Sequence, residues 1–329
     1  MRALFFPVVC TFLCAATTFA QTTQPAKVPV VFAAYATPLE EPWNMVIHQA
    51  LQASEKNGRI VYAWQDKLSS AEALALGIQS ALARKPDIVV ADGVEGVEGI
   101  KAIAAANPGI SFVVGTSAAP AVPNVSVFDS NLSEPAYLCG VVAGRLTKSN
   151  IVGVVAGRSD VQVHRAINAY MQGVREANPA AKVKLTFIDS WYDPPKAKQA
   201  AIDQVAAGAD IIWAEREGAI AGAREKGVLA FGNLVDQSVE GPDTVLTGPV
   251  WSMTPLIDHV VKLSAAGMIR GESYHDFSSL ARGGAVLAPW HGWNQKLPPE
   301  VLDFVRERQN AIKTGVLTIN PSAERPVGD

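Results

Sequence analysis

The chain has 329 residues, 49% hydrophobic and 18% charged, which is enough apolar material for two domains of roughly 150 residues and too much for a disordered chain. Its 28 basic and 31 acidic residues leave a formal charge of −3, which argues against a nucleic-acid partner, because such proteins carry a clustered basic excess. Past the N-terminus no apolar run reaches the roughly 18 residues of a membrane span, which excludes a polytopic membrane protein.

Residues 1–20 have the layout of an export signal. Met1-Arg2 supplies a positive start, Ala3 to Ala16 is apolar apart from Thr11, and Thr18 and Ala20 are the small residues that fit a cut after Ala20. The apolar run is too short for an anchor. Bulky Val9 and Leu13 precede Cys10 and Cys14, where lipid attachment wants a small residue, so a soluble periplasmic protein is expected. The Thr/Gln/Pro leader 21–27 stands outside the fold. Only Cys139 then remains, in the apolar setting Tyr137-Leu138-Cys139-Gly140-Val141-Val142, and reads as a buried structural thiol.

The continuous β-branched run Val28–Ala34 predicts a strand buried on both faces. A helix follows over 43–56, ending before Asn57-Gly58. Strands at 59–63, 87–91, 111–115 and 125–128 alternate with helices at 71–84 and 97–105. A helix at 134–147 opens a second round, with strands at 151–156, 183–188, 210–213, 228–231 and 244–247 and helices at 164–176, 195–206 and 219–225. Helices at 253–266 and 299–313 come last, while 283–299 and 315–329 read as loop and frayed end. The βα rhythm predicts an α/β protein of two doubly wound parallel-sheet lobes, joined by a hinge, with right-handed crossovers. The N-terminal lobe is expected over 28–130 plus about 251–274, the C-terminal lobe over 131–250 plus about 275–315, and a tail over 316–329.

In open parallel sheets, ligands sit beyond the carboxyl ends of the strands, so two lobes facing each other enclose a cleft lined by the loops after the strands. Those loops carry Trp43 and Asn44, Asp92 and Gly93, Trp191 and Asp193, Glu215, Asn233 and Asp236, and Trp251. Three tryptophans there are platforms for a planar ligand, although each can equally pack a lobe surface or the hinge. Asn44 and Asp193 can bond ring nitrogens and exocyclic groups. Asp193 precedes Pro194-Pro195 and so also fits a helix N-cap, a role compatible with ligand contact.

Enzyme motifs are missing. His48, His164, His259, His275 and His291 show no metal-ligand spacing and read as surface or capping residues, so no metal or cofactor is expected. There is no nucleophile elbow, Walker loop or G-x-G-x-x-G after a strand, and Glu95 in Gly93-Val94-Glu95-Gly96 would repel a phosphate. Glu215 and Glu217 flank Arg216. A carboxylate pair can do acid–base work, but bonding to hydroxyls or pairing with Arg216 is the simpler role.

Six segments in order resemble the basic membrane protein family of ABC-transporter substrate-binding proteins, whose better-known members bind purine nucleosides. They are Glu41-Pro42-Trp43-Asn44; Glu134-x-x-Tyr137-Leu138-x-Gly140-x-x-Ala143; Gly173; Trp191-x-Asp193-Pro194-x-Lys196; Gly208-Ala209-Asp210-Ile211-Ile212; and Gly232-Asn233-Leu234-Val235-Asp236-Gln237. The resemblance covers about 28–315 and rests on their collinearity. It implies a type I periplasmic binding protein with three crossovers, a purine base or nucleoside as ligand, an ABC permease as partner, and a monomer. Trp43 stands where the family puts a base-stacking aromatic, Asn44 where it puts a polar contact, and Asp236 matches the second acid of its Gly-x-Asp-x-Asp-Gln pattern. Leu234 replaces the first acid, which in nucleoside binders meets the ribose, and Trp251 stands near a family lysine. Residues 191–194 are similar to members that look adapted to free nucleobases such as adenine. The expectation is therefore a periplasmic receptor favouring a free base. A sugar receptor of the same fold, or a periplasmic nucleoside hydrolase, is the alternative.

Overall fold

The computed structural model describes residues 27–93 and 96–329; the export signal, the leader up to residue 26, and Val94 and Glu95 lie outside the described residues. The first round of the chain runs β1 (Val30–Ala34), α1 (Pro42–Lys56), β2 (Val61–Gln65), α2 (Ala71–Ala81), β3 (Ile88–Asp92), α3 (Val97–Ala106), β4 (Ser111–Gly115) and β5 (Val125–Phe128). Its five strands are parallel, in the order β2-β1-β3-β4-β5. Val31, Ala33 and Val90 pack toward α1, while Phe32, Ala34 and Val89 pack toward α2 and α3. Helices on both faces are why these strands read as unbroken apolar runs rather than as alternating ones.

The second round runs α4 (Ser133–Leu146), β6 (Ile151–Ala156), α5 (Val161–Ala177), β7 (Lys182–Phe187), α6 (Pro194–Ala206), β8 (Ile211–Ala214), α7 (Ala219–Lys226) and β9 (Leu229–Phe231). Four parallel strands form a second sheet in the order β7-β6-β8-β9. A Cβ on Gly140 would lie 2.0 Å from the Tyr170 carbonyl oxygen, and one on Gly173 2.2 Å from that of Tyr137. Glycine at these two places lets α4 and α5 cross with their backbones nearly touching, which fixes where α5 ends up. Cys139, a free thiol, is fully buried in this contact region, and burial pushes its pKa well up.

The chain passes between the sheets three times. The first passage is 129–132. The second uses β10 (Pro249–Trp251) and enters α8 (Thr254–Ala265), which packs with α1. The third uses β11 (Ala285–Leu287) and leads to α9 (Trp293–Lys296) and α10 (Pro299–Lys313), which join the second lobe's core. β10 and β11 pair antiparallel, Trp251 opposite Ala285, so two of the three passages form one ribbon.

Four expectations need correction. The strand expected at 244–247 makes only a bridge from Val245 to Ala230, although Leu246 N–H still donates to Ala230 O at 2.9 Å. The stretch 283–299 is not all loop, because β11 and α9 lie within it. Residues 315–329 are not frayed: β7 is an edge strand with unpaired backbone groups, and Asp329 N–H donates to Val183 O while Val183 N–H donates to Asp329 Oδ2, both at 2.9 Å. His48 and His164 are buried rather than on the surface, because each has polar partners there. His48 Nδ1 lies 2.9 Å from the Tyr62 hydroxyl, and His164 bridges Ser159 Oγ and Ala323 O.

Candidate ligand-binding cleft

Between the carboxyl ends of the two sheets lies a cleft of about 820 Å³ of empty space, its solvent-open mouth included. Glu41, Trp43 and Asp92 line it from the first lobe. Trp191, Glu215, Arg216 and Asn233 line it from the second, as do the first turns of α5 from Asp160 to Ala166, and Leu234 lines it where its side chain packs into the first lobe's cluster. Ser130 and Leu132 of the first passage close one side.

The first-lobe wall follows from how α1 starts. Glu41 is the N-cap, its Oε2 accepting from Asn44 N–H at 3.2 Å, and Pro42 takes the first helical position. Trp43 is thereby presented at the helix start, facing the cleft. Asn44 turns inward, where its Nδ2 donates to Thr37 O at 3.1 Å and Thr37 Oγ1 at 2.6 Å. It holds the loop and does not line the cleft.

Of the ten residues singled out by sequence, Trp43, Asp92, Trp191, Glu215 and Asn233 line the cleft. The others sit elsewhere. Gly93 packs on the end of β4, its N–H donating to Gly115 O at 3.0 Å. Asp193 caps α6 through Lys196 N–H at 3.1 Å, on the exposed surface. Asp236 faces His291, Oδ2 to Nε2 at 2.6 Å, near the surface. Trp251 is only 2% exposed and stacks on Trp43, ring centroids 4.6 Å apart and planes at 29°. It therefore stands behind the wall that Trp43 forms.

Arg216 is the hub of the polar wall. Its Nη2 lies 3.0 Å from Glu215 Oε1 and its Nη1 3.6 Å from Glu41 Oε1 of the opposite lobe. Its guanidinium carbon sits 5.0 Å from the centre of the Trp191 ring, within cation–π range. Gly157 makes room, because a Cβ there would be 2.4 Å from Arg216 Nε. Its N–H also donates to Glu215 Oε2 at 2.9 Å.

Burial pushes the Glu41 and Glu215 carboxyls above the usual range, although Arg216 pulls both down. Burial raises Glu217 to about 7, again opposed by Arg216. For Arg216 itself burial works against the charge, yet Glu215, Glu217 and Glu41 together outweigh it and the net shift is upward.

Three residues of the cleft wall carry buried polar atoms without partners: the donors Trp43 Nε1 and Arg216 Nε, and the acceptor Asn233 Oδ1. A buried polar group left unbonded costs about 1–3 kcal/mol, so this wall gains from a ligand with donors and acceptors on its rim. Asn233 Nδ2 is already held by Glu215 O at 3.1 Å, which fixes the amide.

Sequence reading missed Glu41 as a cross-lobe partner and the start of α5 as a wall. The second was available, because residues 157–160 follow a strand end just as the other loops do. Among the described residues no cluster of His, Cys, Asp and Glu could hold a metal ion, and no helix is long and apolar enough to cross a membrane.

The sequence model of the Bmp family, described as ABC transporter substrate-binding protein PnrA-like, matches residues 27–277. A purine-binding protein of Brucella abortus (strain 2308) is 29% identical over 196 residues, 59% of this chain and 54% of that protein. The chain thus spans about half the length of that relative. The ABC transporter nucleoside-binding protein BmpA of Lactococcus lactis is 29% identical over 107 residues, 32% of this chain and 30% of that one. In three dimensions, an ABC transporter solute-binding protein from Conexibacter woesei superposes with a TM-score of 0.72 at 22% identity, covering 89% of this chain and 99% of the other. That likeness is one of fold, the periplasmic binding protein architecture.

Proposed function

The chain belongs to the PnrA-like family of ABC transporter substrate-binding proteins, and from that membership we propose that it captures a free purine base and delivers it to an ABC permease. It does so outside the cytoplasm, as a monomer, by closing its lobes on the ligand and opening to release it, with no bond made or broken. The lobes divide near residues 130, 251 and 275 and turn about the three passages.

The observation that carries this reading is Trp43. Its ring lines the cleft while Trp251 and Phe128 stack against it, with centroids 4.6 and 5.9 Å away. A flat heteroaromatic laid on such a platform gains stacking. Across the cleft stand Asn233 and Arg216, an amide and a guanidinium, the side-chain types that bond the ring-edge groups of a base. Leu234 also lines the cleft, its side chain packed in the first lobe's cluster beside Trp251, so a ribose hydroxyl facing it finds no acceptor on that side chain. The Brucella relative's name supports a purine and the Lactococcus relative's a nucleoside; Leu234 favours the free base.

Isothermal titration with adenine, adenosine, guanine and guanosine tests this. The bases are expected to bind at least as tightly as their nucleosides. A clear preference for nucleosides overturns the free-base reading, and no binding of any purine overturns the whole.

One observation favours a second reading, a sugar receptor. Four carboxylates, Glu41, Asp92, Asp160 and Glu215, line the cleft, and sugar hydroxyls are well served by such acceptors. A melting transition raised only by pentoses or hexoses would select it.

A further inference from the structure

We infer that Trp251 is a positioning residue for ligand binding, joining the stacking wall to all three passages between the lobes through Ser278 and Asp129. The inference rests on the reading of the cleft given above, with Trp43 as the ligand platform.

The contacts form a continuous path. Trp43 lines the cleft; Trp251, in the second passage, stacks on it away from the cleft. Trp251 Nε1 donates to Ser278 Oγ of the third passage at 2.9 Å. Ser278 Oγ donates to the carbonyl oxygen of Asp129, in the first passage, at 2.5 Å. The Asp129 carboxylate, fully buried, pairs with Arg165. Arg165 belongs to α5, whose first turns form the opposite wall. One chain of contacts, passing through the Asp129 backbone, thus runs from the first-lobe wall, through the three passages, to the second-lobe wall. Trp251 also holds another cleft residue through its backbone, its N–H donating to Leu234 O at 2.9 Å.

The three members of the path that lie in the passages are buried. Trp251 is 2% exposed, Ser278 4% and Asp129 0%, so water cannot substitute cheaply for a broken bond. Closure of a two-lobed protein is rotation about its connections. A bond network spanning all three of them restricts which rotations are open. Trp43 and Trp251 share the buried cluster of the first lobe, and Trp251 is at the same time paired into the hinge ribbon, so a rotation that shifts the ribbon against that lobe strains their stack. A ligand that orders Trp43 therefore favours the hinge angle that keeps this stack. That is the differential contact by which binding biases closure. Trp251 acts on the ligand through Trp43, without touching it.

The test uses Trp251→Phe, which keeps a ring in the stack and loses the indole N–H, and Ser278→Ala, which removes both Ser278 bonds and leaves every ring in place. Ser278→Thr restores the hydroxyl. Glu72→Cys and Lys226→Cys, at exposed positions on the two lobes, carry spin labels; Cys139 is fully buried and takes none. The inter-lobe distance distribution is measured without ligand and with saturating adenine, beside adenine titrations. Both Trp251→Phe and Ser278→Ala are expected to broaden the ligand-free distribution and weaken adenine binding about three- to tenfold, the worth of one net hydrogen bond, and Ser278→Thr to restore both. Weaker binding with an unchanged ligand-free distribution overturns the coupling and leaves Trp251 a packing residue. No change in either readout overturns the proposal outright. If the wild-type protein ignores adenine, the purine reading fails, while the ligand-free distribution still decides on the hinge. Should Ser278→Ala fail to fold, Trp251→Phe carries the comparison.

Discussion

Arg216 of the second lobe and Glu41 of the first meet across the cleft, Nη1 to Oε1 at 3.6 Å, with only 7% and 5% of their side chains exposed. Glu41 at the same time caps α1 and so sets the stacking platform. One buried ion pair therefore links the helix that carries Trp43 to the polar wall that faces it.

Removing Arg216 should be far costlier than removing either acid. Breaking a buried pair by deleting one partner typically costs about 3–5 kcal/mol, because the other charge stays buried. Arg216→Gln strands both Glu41 and Glu215, whereas Glu41→Gln leaves Arg216 paired with Glu215 at 3.0 Å. Urea unfolding of the two variants is expected to show the larger loss, about 3–5 kcal/mol, for Arg216→Gln. Equal losses would mean that the guanidinium is not shared between the two acids.

The same cluster sets a pH dependence. Glu217 titrates near 7 in the folded chain against an ordinary 4.5, chiefly through burial. A carboxyl raised on folding favours the protonated state, so its stabilising contribution is complete below about 4.5 and is lost as pH rises to 7. Glu41 and Glu215 shift in the same direction. Urea midpoints taken between about pH 5 and 8 are expected to fall with rising pH, and Glu217→Gln to flatten only part of that slope. A midpoint that climbs over this range contradicts the sign.

The βα alternation is legible in the sequence because the inner strands of the two sheets are buried between helices, which leaves apolar runs such as Ile88-Val89-Val90-Ala91 unmistakable. Ser111–Gly115, Val125–Phe128 and Ile151–Ala156 have the bounds their residues predict. β10 and β11 are not legible. Each is three residues long, too short for any periodicity, and each exists only because the other lies beside it far along the chain. Trp251 shows the same limit at the cleft. Its place after a lobe's last strands marks it as near the ligand, but only the fold shows that it backs Trp43. The Arg216–Glu41 pair joins residues of different lobes, and nothing local to either announces it.

Trp43 itself is the residue on which affinity should turn. Base–aromatic stacking is worth about 1–3 kcal/mol per base, so Trp43→Ala should weaken adenine binding by that amount and Trp43→Phe by much less. Gly115 offers an independent probe of the same ring. A Cβ there would lie 2.9 Å from Trp43 Cζ2 and 3.2 Å from Phe128 Cζ, so one of the rings has to give way. Gly115→Ala is expected to weaken binding without removing any ligand contact. Titration calorimetry on the three variants checks both; unchanged affinity in Trp43→Ala would reduce this tryptophan to lobe packing.

Leu234 tests the discrimination between base and nucleoside. It is 5% exposed, lines the cleft, and adopts φ +64°, a left-handed backbone that a bulky side chain rarely takes and that aspartate tolerates better. Leu234→Asp therefore relieves backbone strain while placing a carboxylate where a ribose hydroxyl can donate to it. A hydroxyl left unbonded in a closed site costs about 1–3 kcal/mol, and each 1.4 kcal/mol recovered is about tenfold in affinity. The ratio of adenosine to adenine affinity is expected to rise by about tenfold or more in Leu234→Asp. The wild-type ratio should be at or below one. Leu234→Asn, which keeps the backbone benefit without the charge, should give a smaller shift. A ratio that does not move in either variant, measured by calorimetry on both ligands, would place the ribose elsewhere in the cleft and remove the reason for preferring the free base.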